Sequence, residues 1–151
     1  MNKLLFTLLV NMFAVCIIFG DEGKVQEVEI TGNDTMQFDL KNFDVGPGTT
    51  VKLTLRNIGK IPKIAMGHNL VILKKGISAI AFGQKALGAG ANATNPLPES
   101  VKGDVLAATK LLGPNESDTI TFTAPEEKGS YEYVCTFPGH FAMMRGVMSV
   151  K

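Results

Sequence analysis

Apolar and polar side chains alternate along much of this chain in short runs set off by turn residues. That period restricts those runs to β-strands that bury one face. From Val25 to Thr31, Val28 and Ile30 fall on one side and Glu27 and Glu29 on the other. Met36 to Leu40, Thr49 to Asn57 (around Val51, Leu53 and Leu55), Asp118 to Ala124 and Tyr131 to Cys135 repeat the pattern. His68 to Leu73 reads as an apolar strand, and Gly146 to Lys151 as the last one. Gly32-Asn33-Asp34 and Gly46-Pro47-Gly48 supply turns. Short strands at this spacing, rich in β-branched and aromatic residues, predict an all-β Greek-key β-sandwich or barrel. The stretch 76–103 departs from the rule. Ile77, Ile80, Ala81, Gln84, Leu87 and Gly88 recur at helical intervals, which predicts a short helical insertion around 77–88. An irregular loop is expected from Asn92 to Pro98.

The 151 residues, 45% of them hydrophobic, suit one domain with a real core. Segment 1–20 reads as a signal peptide: Lys3 is its positive end, Leu4 to Phe19 its largely apolar run, and polar Asp21-Glu22-Gly23-Lys24 follows. The run is short for a spanning helix, which needs about 20 apolar residues. Cys16 offers a second reading, a lipidated cysteine kept as a membrane anchor. The expected domain is therefore 21–151, exported, with a formal charge that falls from +1 to zero when Lys3 is removed. No basic stripe marks a nucleic-acid partner.

Beyond segment 1–20 the sequence holds one cysteine, Cys135, and two histidines, His68 and His140. An unpaired cysteine in an exported chain needs an explanation, and metal ligation is one. Cys135 ends an alternating strand, and Thr136-Phe137-Pro138-Gly139 is a tight loop able to return His140 beside it. Met144 follows His140 with three residues between. His68 comes from a separate segment, Met66-Gly67-His68-Asn69, where Gly67 permits close backbone approach. Thiolate, thioether and imidazole together select copper, above all Cu(I). Cysteine and histidine also bind zinc. Taken singly, Cys135 reads as a small core residue and His68 as a structural histidine; it is their joint placement that points to a metal.

These segments resemble the azurins, blue copper proteins of the cupredoxin family. The similarity runs from about Val28 to Lys151 and rests on Gly32-Asn33-Asp34-Thr35-Met36-Gln37-Phe38, Pro62 to Asn69, and Cys135-Thr136-Phe137-Pro138-Gly139-His140 with Met144. The Cys-x4-His-x3-Met spacing is specific, since plastocyanin-like relatives have a shorter Cys-to-His interval. The resemblance implies a cupredoxin-like, plastocyanin-like blue copper domain holding one type 1 copper ion. His68, Cys135 and His140 would be its equatorial ligands, Met144 the weak axial one and the Gly67 carbonyl the opposite axial contact. Asn69 and the Phe137 amide would support them. Three departures stand out. Gln26 and Thr49 fill the positions of a disulfide that azurins typically carry, Leu70 takes the place of a core tryptophan, and Asn57 that of a histidine with a pH-dependent role.

Three functions fit a Cys–His–His–Met set: an electron carrier, a copper store, and a Cys–His nucleophilic enzyme. The chain has no Met- or His-rich tract for storage and shows no evident oxyanion hole. The expectation is a soluble periplasmic electron carrier, not an enzyme, cycling Cu(I) and Cu(II). By the same resemblance its partners are redox proteins such as a cytochrome or a copper reductase. They would dock near His140 on an apolar rim of Met36, Met66, Ile61, Pro62, Gly139, Phe141 and Ala142. Membrane contact is expected only through a lipid on Cys16.

Overall fold

The strand Thr50–Asn57 shows what the alternation does: Val51, Leu53, Leu55 and Asn57 are buried, while Lys52 and Arg56 stand in solvent. It is β4 of nine strands in a computed structural model that describes residues 25–151. One sheet runs β2 (Gln37–Phe38), β1 (Val25–Asn33), β4, β7 (Ser117–Thr123), with β1 and β4 parallel. The other runs β3 (Asn42–Val45), β9 (Arg145–Val150), β8 (Gly129–Val134), β5 (Val71–Leu73), β6 (Val105–Ala108), with β3 and β9 parallel. The two sheets form a sandwich and do not close into a barrel. The expected signal peptide and Cys16 lie outside the described residues.

Ile30, Leu53, Leu55, Leu70, Ile72, Tyr133, Met144 and Met148 fill the core between the sheets. β5 is buried on both faces, as its unbroken apolar run requires. Ile72 joins the main core, and Val71 and Leu73 join a second cluster with Val134 under a helix. That helix, α2 (Ala79–Gly88), follows the strand as expected. Ala79, Phe82, Gly83 and Ala86 are buried, while Ile80 and Leu87 are 39% and 45% exposed. Small residues let the helix sit close to the sheet, and Phe82 alone then supplies a large apolar anchor, about 1.5–3 kcal/mol of burial. Ser78 makes no side-chain cap; Glu132 on β8 accepts a hydrogen bond from the Ala79 amide at 2.8 Å instead.

β3 and β6 were not foreseen. Both are edge strands of the second sheet, and β6 is only half-buried on every residue, so its period carries little signal. The apolar run at 68–73 also begins pairing later than expected: His68 forms an isolated bridge to Leu112, and the strand proper starts at Val71. At the position of the missing disulfide, Gln26 Nε2 donates to the Asp44 carbonyl at 2.7 Å and ties one sheet to the other.

Candidate metal centre

The segment after β8 closes on itself. Gly139 has φ of 83°, the left-handed region that suits glycine, and starts a 3₁₀ turn over His140–Ala142. The His140 amide donates to the Phe137 carbonyl at 3.0 Å, and the Met144 amide to the His140 carbonyl at 2.8 Å. The Cys135 amide then donates to the Met144 carbonyl at 2.9 Å. Cys135, His140 and Met144 are thereby fixed in one small loop between β8 and β9.

His68 arrives from the neighbouring strand. A four-residue helix, α1 (Lys63–Met66), ends at Gly67, and His68 exchanges two backbone hydrogen bonds with Leu112 at 3.0 and 2.8 Å. Asn57 supports this bridge: its side chain donates to the Leu112 carbonyl at 3.2 Å. Because β5 and β8 are antiparallel, with Val71 opposite Val134, His68 and Cys135 emerge at the same end of the sheet.

The result is a cluster. His68, Cys135 and His140 each offer a ligand atom, all within 4.8 Å of one another. Cys135 Sγ lies 3.6 Å from His140 Nδ1, and the two imidazole centroids are 5.1 Å apart. His68, Cys135 and Met144 are fully buried, and His140 is 3% exposed. Gly67 is buried too. A Cβ there would meet the Lys63 carbonyl at 2.8 Å, so the packing of α1 already requires a glycine.

Burial sets the charge of each donor. It pushes the Cys135 thiol up to about 12, against the opposing pull of the Asn69 and Phe137 amides. It drives His140 down to about 4, with the neighbouring His68 adding to the effect. His68 is lowered as well by burial; the Asn33 carbonyl and Asp34 oppose this. The Asn33 carbonyl is near but outside hydrogen-bond geometry, for neither ring nitrogen of His68 has a partner. Two buried, unsatisfied nitrogens are costly unless something binds them. A soft thiol and two neutral imidazoles facing one point, with buried Met144 and the His68 ring both packed against Gly32, are donors that copper prefers. The residues therefore fit the ion.

Of the residues expected to support the ligands, Asn69 and the Phe137 amide are in place. Asn69 bonds Thr136 twice, and the Phe137 amide points toward the sulfur. Phe141, expected on the rim, is half-buried and also packs against the cluster beneath α2. Met143 is 54% exposed and takes no part. Gly32 was read only as a turn residue, yet a Cβ on it would meet Met144 Cε at 2.7 Å and His68 Cδ2 at 3.3 Å. A glycine at the end of an alternating strand was the available signal.

Known proteins are similar to this chain in sequence and fold. Residues 24–151 match the family model described as copper binding proteins, plastocyanin/azurin family. Azurin-2 of Alcaligenes xylosoxydans xylosoxydans is 38% identical over 130 residues, covering 82% of this chain and 96% of its own length. Azurin of Alcaligenes faecalis is 36% identical, covering 82% and 97%. Reduced auracyanin from Roseiflexus castenholzii superposes with a TM-score of 0.72 at 38% identity, covering 85% of this chain and 99% of that one. Auracyanin A, a "blue" copper protein from Chloroflexus aurantiacus, gives a TM-score of 0.71 at 32% identity, covering 84% and 99%. With its sandwich and its His–Cys–His cluster, the chain belongs to the plastocyanin/azurin family of copper-binding proteins.

Proposed function

We propose that His68, Cys135 and His140 are the three strong ligands of one copper ion. Met144 and the Gly67 carbonyl would help to hold it more weakly, and the protein ferries single electrons between exported redox partners. The observation that carries this reading is the convergence of three buried donors within 4.8 Å. Copper bound there supplies a one-electron Cu(I)/Cu(II) couple. The chain's own part is to hold the donors. Cys135 gives up its proton, the Asn69 and Phe137 amides aim at its sulfur, and burial keeps water away.

The burial also speaks against the rival functions. A nucleophilic cysteine must be partly exposed and readily ionised; Cys135 is fully buried with its thiol pushed up to about 12. A delivery site must release its cargo, and these donors are locked inside the core. Electron exit runs through His140, whose Nδ1 faces the sulfur and whose opposite edge turns away from it. Next to it in the chain Gly139, Ala142 and Met143 are exposed; exposed Ile61 and half-exposed Met36 and Met66 would join them in a mostly apolar rim for brief encounters with a cytochrome or copper reductase. The signal-like segment 1–20 supports a periplasmic location.

The test is to add copper to the metal-free protein and titrate it with oxidant and reductant. An intense blue colour that appears on oxidation, disappears on reduction and returns reversibly is expected. A colourless protein whose thiol alkylates readily would overturn the reading.

A further inference from the structure

Gly83 lies in the middle of α2, where a glycine weakens a helix and no turn requires one. The reason sits opposite it. A Cβ on Gly83 would fall 2.2 Å from both Cβ and Cγ of Phe141, the residue directly after His140. Such a distance leaves no room for a methyl group, so the helix backbone at buried Gly83 and half-buried Phe141 are in direct contact. Neither side can easily retreat. Phe82 is 1% exposed and Ala79 and Ala86 not at all, so the helix is packed on the sheet. Its first amide is held by Glu132, three residues before Cys135, and Lys85 reaches Asp104 at 2.6 Å. The 3₁₀ turn bearing His140 is held from its other side by the Met144 and Met143 amides.

We infer that α2 is a backing strut for the metal centre and that Gly83, through Phe141, is a positioning residue for His140. Seated on the strand that leads to Cys135 and pressed on the turn that carries His140, the helix sets the spacing between those two donors. The inference rests on His140 being a ligand. The Gly83–Phe141 contact itself belongs to the metal-free chain and can be measured there.

The experiment compares Gly83→Ala with Gly88→Ala on the same helix, where a Cβ would meet nothing within 4 Å. If helix propensity were all that mattered, both alanines would stabilise the metal-free protein. The strut predicts a split. Gly83→Ala lowers the melting temperature of the metal-free protein, shifts the reduction potential and the Cu(II)–thiolate spectrum, and speeds copper loss to a chelator by about tenfold or more. Gly88→Ala leaves potential and spectrum where they were. Removing the contacted atoms, Phe141→Gly, should make the added methyl harmless, so that Gly83→Ala in that background changes nothing further. Should Gly83→Ala fail to fold, Phe141→Ala withdraws the ring without overpacking and should also loosen His140, seen as faster copper loss. Gly83→Ala with an unchanged potential and spectrum, or Phe141→Ala with unchanged copper loss, would overturn the inference. A wild-type protein that never turns blue would instead sink the copper reading. In that case a nuclear Overhauser contact between Gly83 Hα and the Phe141 ring, and its loss in Phe141→Gly, still decides whether the strut exists.

Discussion

Asn69 holds Thr136 by two hydrogen bonds: its Nδ2 donates to Thr136 Oγ1 at 2.8 Å and its Oδ1 accepts from the Thr136 amide at 2.9 Å. Both residues are buried, and each adjoins a metal donor, Asn69 after His68 and Thr136 after Cys135. The pair therefore closes the gap between the two chain segments that carry His68 and Cys135.

Asn69→Ala removes both bonds and leaves a buried amide and hydroxyl without partners. That costs about 1–3 kcal/mol for each group left unpaired. A fall in denaturation midpoint is expected in metal-free and copper-loaded protein alike, together with a shifted reduction potential. Chemical denaturation and voltammetry check both; a variant as stable as its parent, at the same potential, would show that the bridge does not hold the ligands.

Proton bookkeeping gives a second expectation. Both imidazoles are lowered by burial and so neutral near pH 7, whereas the thiol, pushed up to about 12, is protonated. Copper loading near pH 7 should thus release close to one proton, that of Cys135, with none from the histidines. Calorimetry in buffers of differing ionisation enthalpy reads the number. Without metal, the lowered histidines also make the fold acid-sensitive. Below the ordinary value of 6.5 the unfolded chain takes up protons before the folded one does, so stability falls as pH drops toward about 4. Metal-free protein equally stable across that window would contradict the buried, neutral state of both rings.

Much of this was legible in the residues, and the remainder failed for identifiable reasons. Val51, Leu53 and Leu55 announce β4 because one face is buried and the other wet. The same contrast is lacking in β6, half-buried throughout, and β6 passed unseen. The pairing of Cys135 with His140 is readable because the two are close in sequence and chemically rare. Gly32 and Gly83 were not, since what they do is leave space for Met144 and Phe141, and the partner in that space comes from far along the chain. The buried face of α2 is hidden from apolar size alone for a related reason: the large Ile80 and Leu87 are exposed, while the small Ala79, Gly83 and Ala86 are buried.

Met144 tests the axial role. Its side chain is fully buried, with Cε against Gly32, so Met144→Leu keeps the volume while removing the sulfur. Copper should remain bound and the potential should rise, because losing a weak donor disfavours Cu(II) more than Cu(I). Met143→Leu, at an exposed neighbour, is the control and should change little. Loss of copper from Met144→Leu, or a potential that does not move, would contradict a tuning role.

The rim around His140 gives the last prediction. Ala142 ends the 3₁₀ turn and is exposed, and beside it in the chain Met143 is 54% exposed. Phe141, by contrast, is half-buried and packs against the cluster under α2. Two molecules meeting rim to rim would bring their His140 edges together across a small contact, of the size typical of redox encounters, below about 1,200 Å². A charge at the centre of such a contact must be desolvated and, between identical copies, faces its own image. Ala142→Asp should therefore slow electron self-exchange and steepen its dependence on ionic strength, while the absorption spectrum stays intact because no ligand moves. Nuclear magnetic relaxation of mixed Cu(I)/Cu(II) samples measures the exchange rate. An unchanged rate would place docking elsewhere, and Lys60, Lys74 and Lys75, exposed in the 60–75 segment, would be the next residues to reverse in charge.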